Sequence, residues 1–387
     1  MPLPASRPYQ ARPRLTVAVT GLNATDSPGP GVAVIRALRE TADFDLRIIG
    51  LSYEALEPGI YLRELVDKTY QLPYPTAGTA ALLERLRYIR EQEEVAVLIP
   101  NFDAELFNFI KLEAPLRALG IRTFLPTLAQ LEARDKLNLA AFGATHGLRV
   151  PASQPLYAAV GLPAAAEALG WPLVLKGRYY DAAVVHSLAQ AEQAFLRLSG
   201  QWGVPLIVQQ FVAGQEINVA GLGDGHGRVL SVVPMRKLTI TDKDKAWAGI
   251  TLEDEALLAL ARRFAETTKW RGGFELELLR TAADELVILE INPRFPAWVY
   301  LTAAAGQNQP AALLRLALAL PVPMMEGYAV GKMFVRYALD LITVWSRRMV
   351  RGVPNKDTRI FPPFSTDKFV RGQPVQALEP FGEVVGL

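Results

Sequence analysis

Cysteine is absent from the 387 residues, and histidine occurs only at His146, His186 and His226. The first absence removes disulfides, a thiol nucleophile and thiolate metal ligands, and with them the small secreted scaffold and the cysteine-type thioester enzymes. The second leaves little for a Ser-His-Asp relay or a His-rich metal site. His146 lies in a helical stretch and reads as structural. Long apolar runs are also missing: the most apolar helix-like stretch, residues 311–320, is interrupted by Arg315 and stopped by Pro321, short of the roughly 20 residues that a membrane span requires. Nor is there an excess of one charge. With 41 Lys+Arg against 39 Asp+Glu the formal net charge is +2, too balanced for a general nucleic-acid binder, whose footprint is a concentrated basic face. The Pro-rich start, Met1 to Pro8, lacks the apolar core of a secretory signal and is expected to be a disordered lead-in covering residues 1–14; a cytoplasmic protein is expected. G-x-x-x-x-G-K-[ST] and the kinase catalytic loop do not occur, and the first strand is not followed by G-x-G-x-x-G, which argues against the commonest ATP-using folds and an NAD Rossmann site.

What is present fits a chain of about two to three domains by length, half of it hydrophobic (50%) and 21% charged. Residues 15–20 read as a buried strand, followed by a Gly/Pro loop (21–31) and a helical pattern (32–40). Further strands are expected at 45–50, 95–100 and 121–125, with helices at 80–90 and 104–119. Strands alternating with helices indicate an α/β domain on a mainly parallel sheet. Gly29-Pro30-Gly31 at the first helix start reads as a structural turn; the competing reading is carboxylate binding by the helix N-terminus.

The most informative segment is Leu286-Val287-Ile288-Leu289-Glu290-Ile291-Asn292-Pro293-Arg294. Alternation on a strand puts Glu290, Asn292 and Arg294 on one face, with Ile291 and Pro293 on the other. A carboxylate and a carboxamide oxygen suit Mg2+, which shares its oxygen ligands with nucleotide phosphates, and a guanidinium suits phosphoryl oxygens. Just upstream, Phe274-Glu275-Leu276-Glu277-Leu278-Leu279 and a polar turn at 281–285 complete a hairpin, so that one of its glutamates stands across from Glu290. Two facing carboxylates repel unless a cation joins them. Glu277 is taken as the partner, and Glu275 is expected on an exposed outer face.

An acidic strand, a turn and an E-x-N-P-R ending resemble the ATP-grasp superfamily, particularly the carbamoyl-phosphate synthase and biotin carboxylase branch. Residues 132–139 resemble the helix that opens the ATP-grasp region, with Lys136 as the first phosphate-contacting cation. Residues 171–177 resemble the strand carrying the second, Lys176. Residues 206–216 resemble the interdomain hinge, where Gln209, Gln210, Phe211 and Val212 would border the adenine and Glu216 would bind ribose hydroxyls. Gln210 replaces the family's frequent glutamate, which recognition through the backbone of Phe211 and Val212 would survive. Arg236 or Lys237 could contact phosphate, whereas residues 239–249 look equally like a mobile, solvated loop. One departure follows Lys176: Gly177-Arg178-Tyr179-Tyr180-Asp181 stands where the family carries a glycine-rich phosphate loop, implying a different lid, with Arg178 supplying by side chain what backbone amides no longer give, or a loop that no longer closes.

The resemblance implies two α+β subdomains clasping ATP, behind a Rossmann-like pre-ATP-grasp α/β domain. The expected boundaries are 15–126 for the front domain, 127–330 for the ATP-grasp domain (127–208 and 209–330), and 331–387 for a C-terminal extension. That extension holds a strand-like run at 332–339, a basic stretch at 346–351 and a Pro-rich one at 361–364. The implied reaction activates a carboxylate as an acyl phosphate for attack by an amine or similar nucleophile. ATP and Mg2+ (with Mn2+ as a substitute) would be held by Glu277, Glu290 and Asn292, and Lys136, Lys176 and Arg294 would offset phosphoryl charge. The alternatives are bicarbonate phosphorylation of the carbamoyl-phosphate synthase kind and a non-catalytic ATP-binding regulatory protein. Expected partners are a small-molecule or peptide carboxylate and an amine co-substrate, with a homodimer as an option and without nucleic acid or a membrane span. Phe295, Trp298 and Tyr300 offer a wall for the acceptor, with core packing as an equal reading of Trp298 and Tyr300.

Overall fold

The computed structural model describes residues 12–178 and 181–342, together with the backbone of two short C-terminal strands. The expected lead-in (but for residues 12–14), the Tyr179-Tyr180 pair, the basic stretch at 346–351 and all of the Pro-rich run but Phe364 lie outside the described residues. Two compact units are present: Met1–Thr123 with Ala317–Leu320 and Tyr337–Leu387, and Phe124–Leu316 with Pro321–Arg336.

The first unit is built on a parallel sheet of β1 (Arg14–Val19), β2 (Asp45–Ser52), β3 (Lys68–Gln71) and β4 (Val97–Ile99), in the order β3-β2-β1-β4. Phe364–Ser365 adds in parallel beside β3 and pairs with Arg359–Ile360. The strand expected at 121–125 forms only an isolated bridge, Val97 to Arg122, and the helix expected at 104–119 is two helices, Asp103–Lys111 and Glu113–Ala118. β1 runs into the turn ahead of helix Pro30–Arg39, where Gly31 is needed for close approach: a Cβ there would meet the Thr20 carbonyl at 2.0 Å. This favours the structural-turn reading of Gly29-Pro30-Gly31.

At the carboxyl ends of β1, β2 and β4 the Glu105 carboxylate is buried and accepts from the Thr20 and Tyr53 hydroxyls and from the Asn101 and Phe102 amides. Burial pushes it up to about 7, against the pull of those hydrogen bonds, and burial does the same to Glu57. A carboxyl whose folded pKa is raised contributes stability that is full below its unfolded pKa and lost as pH rises through the folded one. This unit should therefore be weaker at pH 8.5 than at pH 5, by on the order of 3 kcal/mol at most for a fully buried group. Thermal midpoints across that range would test it: Glu105→Gln should flatten the slope, and an unchanged slope would refute the assignment.

The second unit holds two antiparallel sheets. The four-stranded one comprises β5 (Ser153–Leu156), β6 (Leu173–Lys176), β7 (Ala182–Val185) and β8 (Leu206–Gln210), ordered β5-β8-β6-β7. Helices Leu162–Leu169 and Leu188–Trp202 cover it through Leu162, Ala165, Ala191, Phe195 and Leu198; Ser187 caps the second by accepting from the Gln190 amide. The six-stranded sheet comprises β9 (Gln215–Asp224), β10 (Val229–Ile240), β11 (Ala246–Thr251), β12 (Arg271–Arg280), β13 (Leu286–Asn292) and β14 (Met333–Val335), ordered β13-β12-β9-β10-β11-β14. Helices Leu139–His146 and Glu255–Thr268 bury one face through Phe142, Phe264, Trp270, Phe274 and Leu276. The other face carries the polar residues of interest. Much of the stretch read as a mobile loop at 239–249 is strand: β10 continues to Ile240 and β11 starts at Ala246, because a bulge between Lys237 and Thr239 lets this polar ribbon keep its ladder. Among the described residues, no helix is long and apolar enough to cross a membrane.

Candidate active site

The β12-β13 hairpin sets Glu277 directly opposite Glu290 and Glu275 opposite Asn292. Residues paired across antiparallel strands share a face, so the two carboxylates and the carboxamide stand together. A bulge makes this compatible with the core: Glu277 pairs with Glu290 but Leu278 pairs with Ile288, leaving Leu289 as the extra residue. Ile288 and Ile291, three positions apart, are thereby both buried against the helices while Glu290 and Asn292 face away. Bulges re-aim side chains in this manner beside functional sites.

Lys136 Nζ lies 3.1 Å from Glu290 Oε2. Its segment is not helical as expected: it sits in the turn between helices Leu128–Ala133 and Leu139–His146, because Asp135 turns the chain by accepting from the Leu137 amide with its side chain and from the Asn138 amide with its carbonyl. Lys176 ends β6. Burial pulls its ammonium below the usual lysine value and the charge of Lys136 adds to this, while Glu290 and Glu277 oppose it; two lysines and two glutamates thus share one electrostatic neighbourhood. Arg178, beyond it, is exposed and reaches Asp135 Oδ2 at 3.3 Å.

β8 leads through residues 211–214 into β9, so that Gln209, Gln210, Phe211 and Val212 span the link between the sheets. Gln209 is buried, whereas Gln210 and Phe211 are exposed. Glu216, at the start of β9, pairs with Lys237 Nζ at 2.9 Å. Burial lowers the Lys237 pKa, but Glu277, Glu216 and Glu275 outweigh it and hold it above the usual value. Between the two basic residues on β10, register decides. Arg236 pairs with Ile217, which belongs to the helix-covered core, so Arg236 is on the opposite face from Glu277 and is not brought to the site; Lys237 is. Arg294 lies just past β13, near enough for its charge to favour an ionised Glu275.

Glu275 corrects the expectation of an exposed face. It is 5% exposed and accepts from Asn218 Nδ2 (2.8 Å), Trp298 Nε1 (2.7 Å) and Asn292 Nδ2 (3.0 Å). Burial and then the charge of Glu277 push its pKa up, against Arg294 and the donors. Phe295 and Trp298 are buried: Trp298 packs with Met235 and Leu301, and Phe295 lies over Gly273, where a Cβ would meet its ring at 2.6 Å. Core packing, rather than an acceptor wall, accounts for these two aromatics.

The donor set fits a hard cation. Two carboxylates face each other with a carboxamide beside them, and among the described residues no cluster of three or more His, Cys, Asp and Glu side chains competes as a metal site. Two carboxylates and an amide oxygen leave further positions for phosphate and water, as Mg2+ requires.

A link between two antiparallel sheets, an acidic hairpin and convergent lysines make up the candidate site of this α/β protein. Residues 203–335 match the family described as ATP-grasp in the biosynthetic pathway with Ter operon. The chain is 29% identical over 294 residues to the formate-dependent phosphoribosylglycinamide formyltransferase of Synechococcus sp. (strain RCC307), covering 72% of this chain and 71% of that one. It is 28% identical over 181 residues to the D-alanine–D-alanine ligase of Stutzerimonas stutzeri (strain A1501), covering 43% of this chain and only 56% of the relative. Among solved structures, the biotin carboxylase domain dimer of Hydrogenobacter thermophilus 2-oxoglutarate carboxylase, in complex with MgADP, ADP and bicarbonate, shares the fold with a TM-score of 0.64 at 16% identity, over 82% of this chain and 73% of that one.

Proposed function

We propose that this chain is an ATP- and Mg2+-dependent ligase that activates a carboxylate as an acyl phosphate for attack by an amine. The observation that carries the reading is the direct pairing of Glu277 with Glu290, with Lys136 from a turn and Lys176 from the end of β6 in their electrostatic neighbourhood: charge of both signs gathers where triphosphate and cation would be held. Relatives named for formate-dependent formyl transfer and for joining D-alanine to D-alanine support a carboxylate as the activated group.

In this reading Glu277, Glu290 and the Asn292 oxygen hold Mg2+, which supplies charge neutralisation at the phosphates. Main-chain groups of Phe211 and Val212 hold the base, with Gln209 and Gln210 bordering it and Glu216 on the ribose. Lys136, Lys176 and Lys237 face the phosphates. As a carboxylate oxygen bonds to the γ-phosphorus and the bond to the bridging oxygen breaks, ADP leaves; Lys176 and Arg294 offset the charge spread over the transferring group. The amine nitrogen then attacks the acyl carbon, phosphate departs and the nitrogen gives up a proton. No protein nucleophile is required. Mn2+ in place of Mg2+ and pairing of two copies belong to the same proposal.

Release of ADP and phosphate, screened over carboxylate and amine pools, tests it. Release should need both pools and a divalent cation. Failure of the protein to bind ATP in the presence of Mg2+ would sink the reading.

A further inference from the structure

Asn292 is expected to offer an oxygen to the cation, yet a carboxamide has two nearly isosteric ends, and only one of them is a ligand. Which end faces the cation is decided by what stands behind it. Asn292 Nδ2 lies 3.0 Å from Glu275 Oε2 and 2.9 Å from Glu277 Oε1. Glu277, the carboxylate that faces the cation, accepts and cannot donate, so the nitrogen is the end that meets its Oε1 and, beside it, Glu275 Oε2. The oxygen is then the end left for a ligand. Glu277 is shared with the cation in this site, which leaves Glu275 as the partner that does nothing else at the metal. Its other oxygen is committed as well: Oε1 accepts from Asn218 Nδ2 at 2.8 Å and from Trp298 Nε1 at 2.7 Å. The carboxylate is buried at 5% exposure and anchored on β9 through Asn218 and, through Trp298, on the segment that follows β13. It cannot swing away from Asn292 without leaving two buried N–H donors unpaired, which costs more than the hydrogen bonds it makes.

We propose that Glu275 is a positioning residue of the cation site: it fixes the Asn292 carboxamide with its oxygen toward the metal, without being a ligand. The inference rests on the ligase reading above, and partners behind ligands of this kind typically alter metal affinity by about 10- to 100-fold.

Glu275→Gln isolates the effect. A glutamine at this position must turn its oxygen toward Asn218 and Trp298, both donors, and so presents its NH2 to Asn292. The Asn292 carboxamide is then driven to reverse, and an N–H end faces the cation. Asparagine-to-aspartate at the neighbouring position removes the ambiguity, since both ends of a carboxylate are oxygen. E275Q should therefore weaken cation binding, N292D alone should also weaken it by crowding a third carboxylate against Glu275 and Glu277, and E275Q/N292D should recover most of the loss.

Mn2+ binding in the presence of a non-hydrolysable ATP analogue, followed by the loss of the free Mn2+ paramagnetic signal, reads this without turnover. The expected result is a dissociation constant raised about ten-fold or more in E275Q and restored to within about three-fold of the unsubstituted protein in the double variant. Should E275Q alone fold poorly, tighter binding by E275Q/N292D than by N292D alone still supports the proposal, because a merely structural glutamate would make the double variant the worst of the three. Equal Mn2+ binding by E275Q and the unsubstituted protein, or no gain from the second substitution, overturns the positioning role alone. Absence of analogue-dependent Mn2+ binding in the unsubstituted protein overturns the ligase reading with it.

Discussion

Glu290→Gln should lower ADP formation by about 10²- to 10³-fold, the range found when a single group that stabilises transition-state charge is removed, while nucleotide affinity falls only a few-fold. The substitution preserves size and removes one negative charge from a pair that stands directly opposed across the hairpin. It also deprives Lys136 of its partner at 3.1 Å, so the lysine loses the group that fixes it. Both losses fall on the phosphoryl end. The base would be held by main-chain groups at residues 211–212, which belong to the link between β8 and β9 and do not depend on a glutamate side chain. A split between turnover and binding is therefore the diagnostic result. Single-turnover ADP release together with fluorescence titration of an ATP analogue would measure it. Full ADP release by E290Q with the true substrate would remove Glu290 from the mechanism, and equal loss of binding and turnover would point to a folding defect.

How much of this was legible in the sequence differs from element to element for physical reasons. The hairpin itself was readable because two largely apolar strands flank a five-residue polar turn, which closes as a Thr281 amide to Glu285 carbonyl bond of 3.0 Å. The bulge at Leu289 was not, since a run of Val, Ile and Leu satisfies either face until the helices beneath choose Ile288 and Ile291. Glu275 was misread for a related reason. A glutamate on a strand two positions from another suggests a solvated face, and the three donors that allow its burial come from residues 17, 23 and 57 positions away. Local pattern carries no trace of them. Asn218 was missed with it, and only the alternation placing Asn218 opposite Glu277 could have raised it. The basic pair on β10 shows the reverse case: the type of residue was right, and a period-two argument extended from Met235 would have separated Arg236 from Lys237.

The largest expected change in stability lies beneath that face. Trp270 is fully buried and immediately precedes β12, its ring centroid 5.1 Å from that of Phe264 and 6.4 Å from that of Phe274, which are themselves 4.9 Å apart. These rings fill the space between the sheet and helix Glu255–Thr268, so Trp270→Ala opens a cavity that neighbours already in ring contact cannot close. A cost of about 3–5 kcal/mol follows, a large share of the roughly 5–15 kcal/mol by which domains are stable. Trp270→Phe separates packing from polarity. Among the described residues the buried indole N–H has no hydrogen-bond partner, so a phenyl ring gives up part of the volume but also removes an unsatisfied donor, whose burial itself carries a penalty. Trp270→Phe should therefore cost much less than Trp270→Ala. Urea midpoints followed by circular dichroism would rank the two, and a Trp270→Phe variant as unstable as Trp270→Ala would mean that the N–H has a partner and that packing is not what the tryptophan supplies. Because β12 carries Glu275 and Glu277 on its other face, the alanine variant should also lose cation-dependent nucleotide binding at temperatures where the phenylalanine variant retains it.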